Sequence, residues 1–403
     1  MTNRPLLSLL VLITFAACVS ETGRGLDTIA RDSAGIHIVE SNTPAWNNAN
    51  RWRLASEPIL HLGDETKPAE QFVRIVNAFR LRGGTIVVVN FNNPPDLRFF
   101  SETGEHLTTV GGSGGGPGEF QAIARAYYVP PDTLLVLDPW TGRNTFISTT
   151  GDFLGSVNVD LSSERSRIGT AVGYGRFNDG TLLARPNALL PRDPPYGAGR
   201  TSTTWWRVRY DGTFVDSLVR YPDIDYYRPG GERAFIVAFG RRTFAIANGE
   251  NLYVGTGEGY EIRIHDQTGH LHTILRRVYE PRPVTDEMVA TLKQQQLNAA
   301  QSPQSRTRVE RRWAATQLPA ELPPHGRRLL RDAADNLWIE EYQAPGDTPA
   351  WSVFDGDGRW LGIVEFSSGF RPLDIGRDHV LGVWRDDLDV EHVQLYDLMK
   401  PGR

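Results

Sequence analysis

One pattern recurs six times and leaves few folds open. Its first copy is Thr85–Val110, TIVVVNFNNPPDLRFFSETGEHLTTV. An apolar run, a polar loop, a second run, a turn at Thr103-Gly104 and a third run follow one another. Short β-branched and aromatic runs bounded by Asn, Pro, Asp and Gly predict three antiparallel strands. The pattern returns at Thr133 (TLLVLD), Thr181 (TLLARP), Asn251 (NLYVGT), Asn336 (NLWIEE) and His379 (HVLGVW). The first three openings are 48 residues apart, and the later gaps are 70, 85 and 43. One such sheet alone would leave an apolar face wet, whereas sheets stacked around an axis cover each other. The expected fold is all-β, a six-bladed β-propeller, with insertions in the two long gaps.

The innermost strand of each blade should precede each opening: VRIVNAF, AIARAYYV, TAVGYGRF, RRTFAIA and GRRLLRD, with FRPLDIG before His379 a poorer fit. The last copy stops after three strands, so an N-terminal strand must close the ring or leave open edges. GIHIVES, Gly35–Ser41, is the expected outer strand of the last blade, and RWRLA, Arg51–Ala55, is its competitor.

The chain begins with Arg4, an apolar LLSLLVLITF and Ala16-Ala17. This reads as a signal peptide over residues 1–17, too short for a bilayer span of about 20 residues. Cys18, the single cysteine, follows directly and resembles the lipidated cysteine of a bacterial lipobox, with Phe15 where Leu is usual. Ordinary secretory cleavage and an uncleaved anchor are the alternatives. The lipoprotein reading makes residues 18–28 a tether and 29–403 the ring. It places the protein in the cell envelope, with the outer membrane favoured because Val19 is not Asp. One cysteine excludes an intramolecular disulfide and a cysteine-based zinc site. A net charge of −5 without charge blocks gives no nucleic-acid surface.

Gly111–Gly115 satisfies G-x-S-x-G around Ser113, but Gly116, Pro117 and Gly118 break the helix that a nucleophile elbow needs. It is no P-loop either, since no Lys-Ser/Thr follows. Glycines let a chain cross from the rim of one blade to the centre of the next, anchored here by Phe120. GGSGGGPGEFQAI, then TLLVLD and TTGDFLGSV, resembles the NHL-type blade. RDSAGIHIVESN, RPVTDEMV, LWIEEY, WSVFDGDGRWLG and LDVEHVQLYDL resemble recurring strings of a bacterial group of six-bladed β-propeller lipoproteins. The resemblance covers nearly all of the mature chain. It implies the fold and carries no assigned activity.

Two insertions stand out. Ala184–Thr204 is dense in Pro and Gly and predicts an irregular excursion before Trp205-Trp206 restart the sheet. The stretch 285–318, between blades 4 and 5, predicts helices over Thr285–Gln301 and Arg306–Pro319, with Thr285 as a cap. Such a hairpin either caps the ring or acts as a lid beside its mouth. Trp46 and Trp52 are expected to pack under the rim.

No catalytic constellation is complete. The nine His are scattered, with only His325 and His379 beside inner strands. Asp386, Asp387, Asp389 and Glu391 form an acidic hairpin that either binds a cation or is a solvated turn. The inner-strand regions are rich in arginine: Arg74, Arg80, Arg125, Arg176, Arg241, Arg242, Arg327 and Arg328. If they converge, guanidiniums suit carboxylate, phosphate or sulfate groups. If they alternate outward or pair with carboxylates, they are structural. Arg74, Arg125, Arg176, Arg241 and Arg327 are the candidate ligand-binding residues. The expected function is an envelope-anchored binding or scaffolding module without cofactor, taking a protein, glycan or anionic small molecule. The rival is a lactonase-, lyase- or hydrolase-type enzyme with a divalent cation at the central channel.

Overall fold

The computed structural model describes residues 28–91, 94–159, 174–186 and 190–401. The signal peptide, Cys18 and nearly all of the tether lie outside the described residues. No helix among the described residues is long and apolar enough to cross a membrane.

Each repeat folds as an antiparallel sheet because its turns are locally determined. Between third and fourth strands, Ser101, Ser148, Asp266 and Asp355 accept hydrogen bonds from backbone N–H groups two and four residues on. Gly104, Gly151, Gly269 and Gly358 supply the positive φ that such a turn requires. A register shift precedes each of these turns, at Phe99/Phe100, Phe146/Ile147, Ile264/His265 and Val353/Phe354. Repeated bulges strengthen the twist that lets sheets pack radially.

The first sheet comprises Ile75–Arg80, Ile86–Asn90, Asp96–Phe100 and His106–Gly111. The second comprises Arg125–Val129, Thr133–Asp138, Arg143–Ser148 and Phe153–Asn158. The next two repeats merge into one eleven-stranded sheet, because Gly175–Phe177 pairs in parallel with Phe244–Gly249. His325–Arg331, Leu337–Glu341, Ala350–Phe354 and Trp360–Glu365 follow, and then a sheet of Phe370–Ile375, His379–Arg385 and Glu391–Met399.

The first strands lie side by side in a closed circuit. Ile75–Arg80 touches Phe370–Ile375 and Arg125–Val129, and His325–Arg331 touches Phe244–Gly249 and Phe370–Ile375. The Gly175 N–H donates to the Tyr127 hydroxyl at 3.1 Å, joining the second sheet to the third repeat. This is a propeller-like arrangement. Apolar clusters fill the gaps between neighbours: Val87, Val89, Leu97 and Phe99 meet Ala126, Leu134, Val136 and Ile147 around the fully buried Phe120 and Ile123. The glycine-rich crossing therefore serves assembly, with the Phe120 N–H donating to the Gly112 carbonyl at 2.8 Å. The Trp46 and Trp52 rings meet at a tilt with centroids 4.8 Å apart and pack with Trp338 between the last two sheets.

The structure corrects the expected closure. Ile36–Ser41 pairs in parallel with Leu271–Arg277 rather than with the last sheet, and Thr28–Ser33 pairs outside it. Thr28, placed in the tether by sequence, is already strand. The last sheet is completed by Leu60–Leu62 and Arg53–Leu54, both antiparallel to Glu391–Met399. The Ala184–Thr204 excursion also needs correction, since a twelve-residue strand, bulged at three places, runs from Gly197 to Val208. It pairs with Phe214–Arg228, and Trp205 is buried inside the sheet.

A polar chain ties the closing strand down. Tyr396 donates to Gln394 Oε1 (2.9 Å), and Gln394 Nε2 to His61 Nδ1 (3.1 Å). His61 Nε2 then donates to His392 Nδ1 (3.1 Å), whose Nε2 faces Asp386 at 3.5 Å. This assignment of tautomers, made from the network, requires both imidazoles neutral. Burial lowers the His61 pKa and His392 lowers it further, with Glu70 opposing. A histidine whose folded pKa lies below its unfolded value stabilises fully above about pH 6.5 and progressively less as pH falls to the folded value. Melting temperature should therefore fall between about pH 7 and 5. His61→Gln should flatten part of that slope, because His265, His272 and His325 are depressed in the same direction by burial. An unchanged slope in the variant would remove the clasp from the account.

Candidate functional site: a ring of guanidiniums at one end of the axis

The hairpin register shows where the arginines stand. Arg125 opens its strand opposite Leu137. Arg371 is second in its strand, opposite Val383. Arg327 and Arg328 occupy a bulge between His325 and Leu329. Arg242 lies two residues before Phe244–Gly249. Neighbouring first strands run in the same sense, as side-chain links show. Arg371 donates to the Ile75 carbonyl (3.1 Å) at the strand starts, and the Arg80 N–H donates to Asp374 (2.8 Å) at the ends. These arginines therefore share one end of the axis. Arg385 joins them, since its N–H donates to the Gly369 carbonyl (3.2 Å).

The charges feel one another. Burial, with repulsion from Arg328, Arg385 and Arg125 outweighing Glu391, lowers the Arg371 pKa to about 10. Burial also lowers Arg328, with Arg327, Arg125 and Arg385 adding repulsion and Glu340 opposing. Arg242 is lowered by burial and then by Arg327 and Arg312, opposed by Tyr342 and Asp223. Arg328 keeps 48% of its side chain accessible to water and is nevertheless desolvated.

Carboxylates do not balance these cations. Glu340 accepts the Arg327 N–H (3.1 Å) and stands 3.9 Å from Arg328. Glu391 takes Arg385 at 2.6 Å and also accepts the Ile75 N–H. Asp225 is held by Arg241 and Arg200, Asp223 by Arg185, and Asp347 by Arg282. Among the described residues, no carboxylate forms an ion pair with Arg125, Arg242, Arg327 or Arg371.

Two helices border this end. α1, Asp286–Asn298, is capped by Thr285, and α2, Pro303–Ala315, by Ser302 in a capping box. They connect Leu271–Arg277 to His325–Arg331. Met288, Val289, Leu292 and Trp313 pack on Phe239, Leu322 and Tyr342. Arg312 of α2 is half-buried and desolvated, 5.7 Å over the Phe235 ring and with a long contact to Gln296 (3.5 Å).

The sequence candidates divide. Arg125 and Arg327 belong to the cluster, together with Arg242 and Arg328. Arg74 adopts φ 56° and lies over the Phe91 ring at 4.5 Å. Arg176 donates to the Tyr210 hydroxyl (3.1 Å) and Arg241 pairs with Asp225 (2.9 Å). Arg80 turns to His379 at 3.2 Å. Arg371, Arg385 and Arg312 were missed. The acidic hairpin is used internally: Asp386 accepts the Leu388 and Val390 N–H groups, and Asp389 and Glu391 pair with Arg385. Among the described residues no three His, Cys, Asp or Glu side chains converge as a metal would need.

A member of the DUF4221 family from Bacteroides vulgatus matches at TM-score 0.53 and 14% identity, over 87% of this chain and 99% of that one. The chain has a propeller-like fold. A Bacteroides fragilis protein named as exported matches at TM-score 0.49 and 12% identity, over 90% and 99% of the two chains. A catalytically inactive virginiamycin B lyase from Staphylococcus aureus matches at TM-score 0.38 and 9% identity, over 88% and 98%. No family model and no curated protein matches the sequence. At these identities the likeness is one of fold.

Proposed function

We propose that this chain is a cell-envelope binding protein, a six-bladed propeller tethered through lipid at Cys18, that captures an anionic ligand at the arginine end of its axis. One observation carries the reading: Arg328 and Arg371 are desolvated beside Arg125 and Arg385, and among the described residues no carboxylate forms an ion pair with Arg125 or Arg371. Structural arginines pair with acids, as Arg185, Arg241 and Arg277 do here. Unpaired, mutually repelling guanidiniums are a cost to the free protein that an incoming anion relieves. Six copies of the repeat support the blade count. The leader and the Ala16-Ala17-Cys18 string support the envelope location.

Two measurements test this. Sulfate should raise the melting temperature over chloride at equal ionic strength, and Arg328→Gln should abolish most of that difference. Equal stabilisation by both salts would reduce the cluster to a structural feature. Separately, Cys18→Ser should abolish metabolic lipid labelling and release the protein from membranes, and retained labelling would refute the anchor.

A further inference from the structure

The most exposed large apolar side chains among the described residues share one end of the molecule. They are Leu388 (83% exposed) and Trp140 (70%), followed by Tyr196, Val73 and Val278. Trp140 stands in the turn after Thr133–Asp138, whose Leu137 faces Arg125. Leu388 stands in the turn that follows Arg385. Val73 lies two residues before Ile75–Arg80. Val278 follows Leu271–Arg277, which ends level with Phe244 across the sheet. Tyr196 precedes Gly197–Val208, which runs on past Ala184 on the same side, and Arg228 lies over its ring at 4.5 Å. All five therefore stand at the arginine end. Isolated exposed apolar side chains are ordinary, whereas such tips gathered on one face mark an interaction surface. The described chain also begins at this end: Thr28 faces Ser41, and Ser41 faces Arg277 beside Val278. Thr28 is ten residues from Cys18, a separation that an extended chain spans in at most about 35 Å.

Resting on the lipid anchor and the anion site proposed above, we infer that the arginine end docks on an anionic phospholipid bilayer. Headgroup phosphates are the anions its guanidiniums take, and Trp140, Tyr196, Val73 and Val278 seat between the headgroups. The anchor holds this end, and no other, within reach of the membrane. The cations suit that occupant. Glu340 and Glu391 pair with Arg328 and Arg385, which leaves Arg125, Arg242, Arg327 and Arg371 without a paired carboxylate among the described residues. Each cation close to an anionic surface adds about fivefold to partitioning. Trp and Tyr settle at headgroup level, where one end of the ring meets lipid and the other water. Leu388 contributes least, because Asp387 and Asp389 flank it. A face of this kind binds reversibly by itself, so loss of the anchor still releases the protein on washing.

Vesicle sedimentation tests this, using protein that lacks residues 1–18 and so keeps every described residue without leader or anchor. Partition onto vesicles of equal parts phosphatidylglycerol and phosphatidylcholine is compared with phosphatidylcholine alone. The proteins are the unaltered ring, Trp140→Ala, Arg371→Gln and Leu154→Ser. Leu154 is the control, exposed near the opposite end of an outer strand. Anionic vesicles should bind the ring about tenfold more tightly than neutral ones. Trp140→Ala should lower that partition about tenfold while sulfate still raises the melting temperature. Arg371→Gln should weaken both responses, and Leu154→Ser neither. Circular dichroism confirms folding, and Val73→Ser replaces Trp140→Ala if the latter misfolds. Vesicle binding that is absent, indifferent to anionic lipid or unchanged in Trp140→Ala overturns the docking inference, and the anion site stands if sulfate still stabilises. A Trp140-dependent dimer without vesicle binding gives the face to a second copy and likewise overturns it. A ring that responds to neither vesicles nor sulfate overturns both.

Discussion

Gly175→Ala should unfold or severely destabilise the protein, by about 3–5 kcal/mol. Gly175 has φ 119°, and an added Cβ would stand 2.0 Å from the Ala247 carbonyl oxygen and 2.6 Å from its nitrogen. Both are backbone atoms of a paired inner strand, so no side chain can swing away. The residue also sits where two repeats join: it pairs with Ala247, and its N–H reaches Tyr127. Backing away would therefore break the circuit of first strands on two sides. Gly112→Ala is the matched control, because φ is 143° but nothing lies within 4 Å of the new Cβ. It should cost only the backbone strain, about 1–2 kcal/mol. Urea or thermal melts of the pair give the comparison. Equal, small losses would mean that the joint between these repeats contributes little to the ring.

Arg371→Gln should separate stability from binding. The guanidinium donates to the Ile75 carbonyl, and losing a hydrogen bond from a charged donor costs about 1.5–3 kcal/mol. Against that, burial and three neighbouring guanidiniums hold its pKa at about 10 rather than 12.5. That shift corresponds to charge destabilisation on the order of 3 kcal/mol. The two effects are of similar size, so the free protein should keep its stability or gain slightly. Anion affinity should fall roughly 100-fold, the ordinary consequence of removing a desolvated partner of a bound charge. Melting temperature and sulfate titration read the two quantities independently. A large loss of stability with unchanged affinity would make Arg371 a structural residue.

The repeats were legible because their determinants are local. Apolar runs such as IVVV and LLVL, and Ser- or Asp-led turns ending in Gly, declare sheet and turn within a few residues. The closure was not local. RWRLA, the competing candidate, does supply Arg53–Leu54 to the last sheet, but Leu60–Leu62 is too short to show a pattern, and the partner of both lies more than 300 residues away. Ile36–Ser41 looked the better strand and is one, but nothing in a strand's own sequence names its neighbour. FRPLDIG is the poorer fit among the inner strands, and Arg371, which lies before Pro372, is not among the sequence candidates. The strand tolerates the missing N–H because innermost strands face the axis, and its register shifts just after Pro372. Arg241 and Arg242 show the remaining difficulty: a shift of one residue moves a side chain to the other face. Arg241 meets Asp225 while Arg242 meets the cluster. Arg312 was visible only as one charge on a basic helix, since its neighbours Gln296 and Phe235 come from other parts of the chain.

The central claim, that the arginine end of the axis is an anion site, is tested most directly by soaking crystals in selenate and measuring anomalous scattering. The account predicts a strong selenium peak among Arg125, Arg328 and Arg371, absent in Arg371→Gln crystals. Selenate bound only at the outer surface, with this position empty, would contradict it.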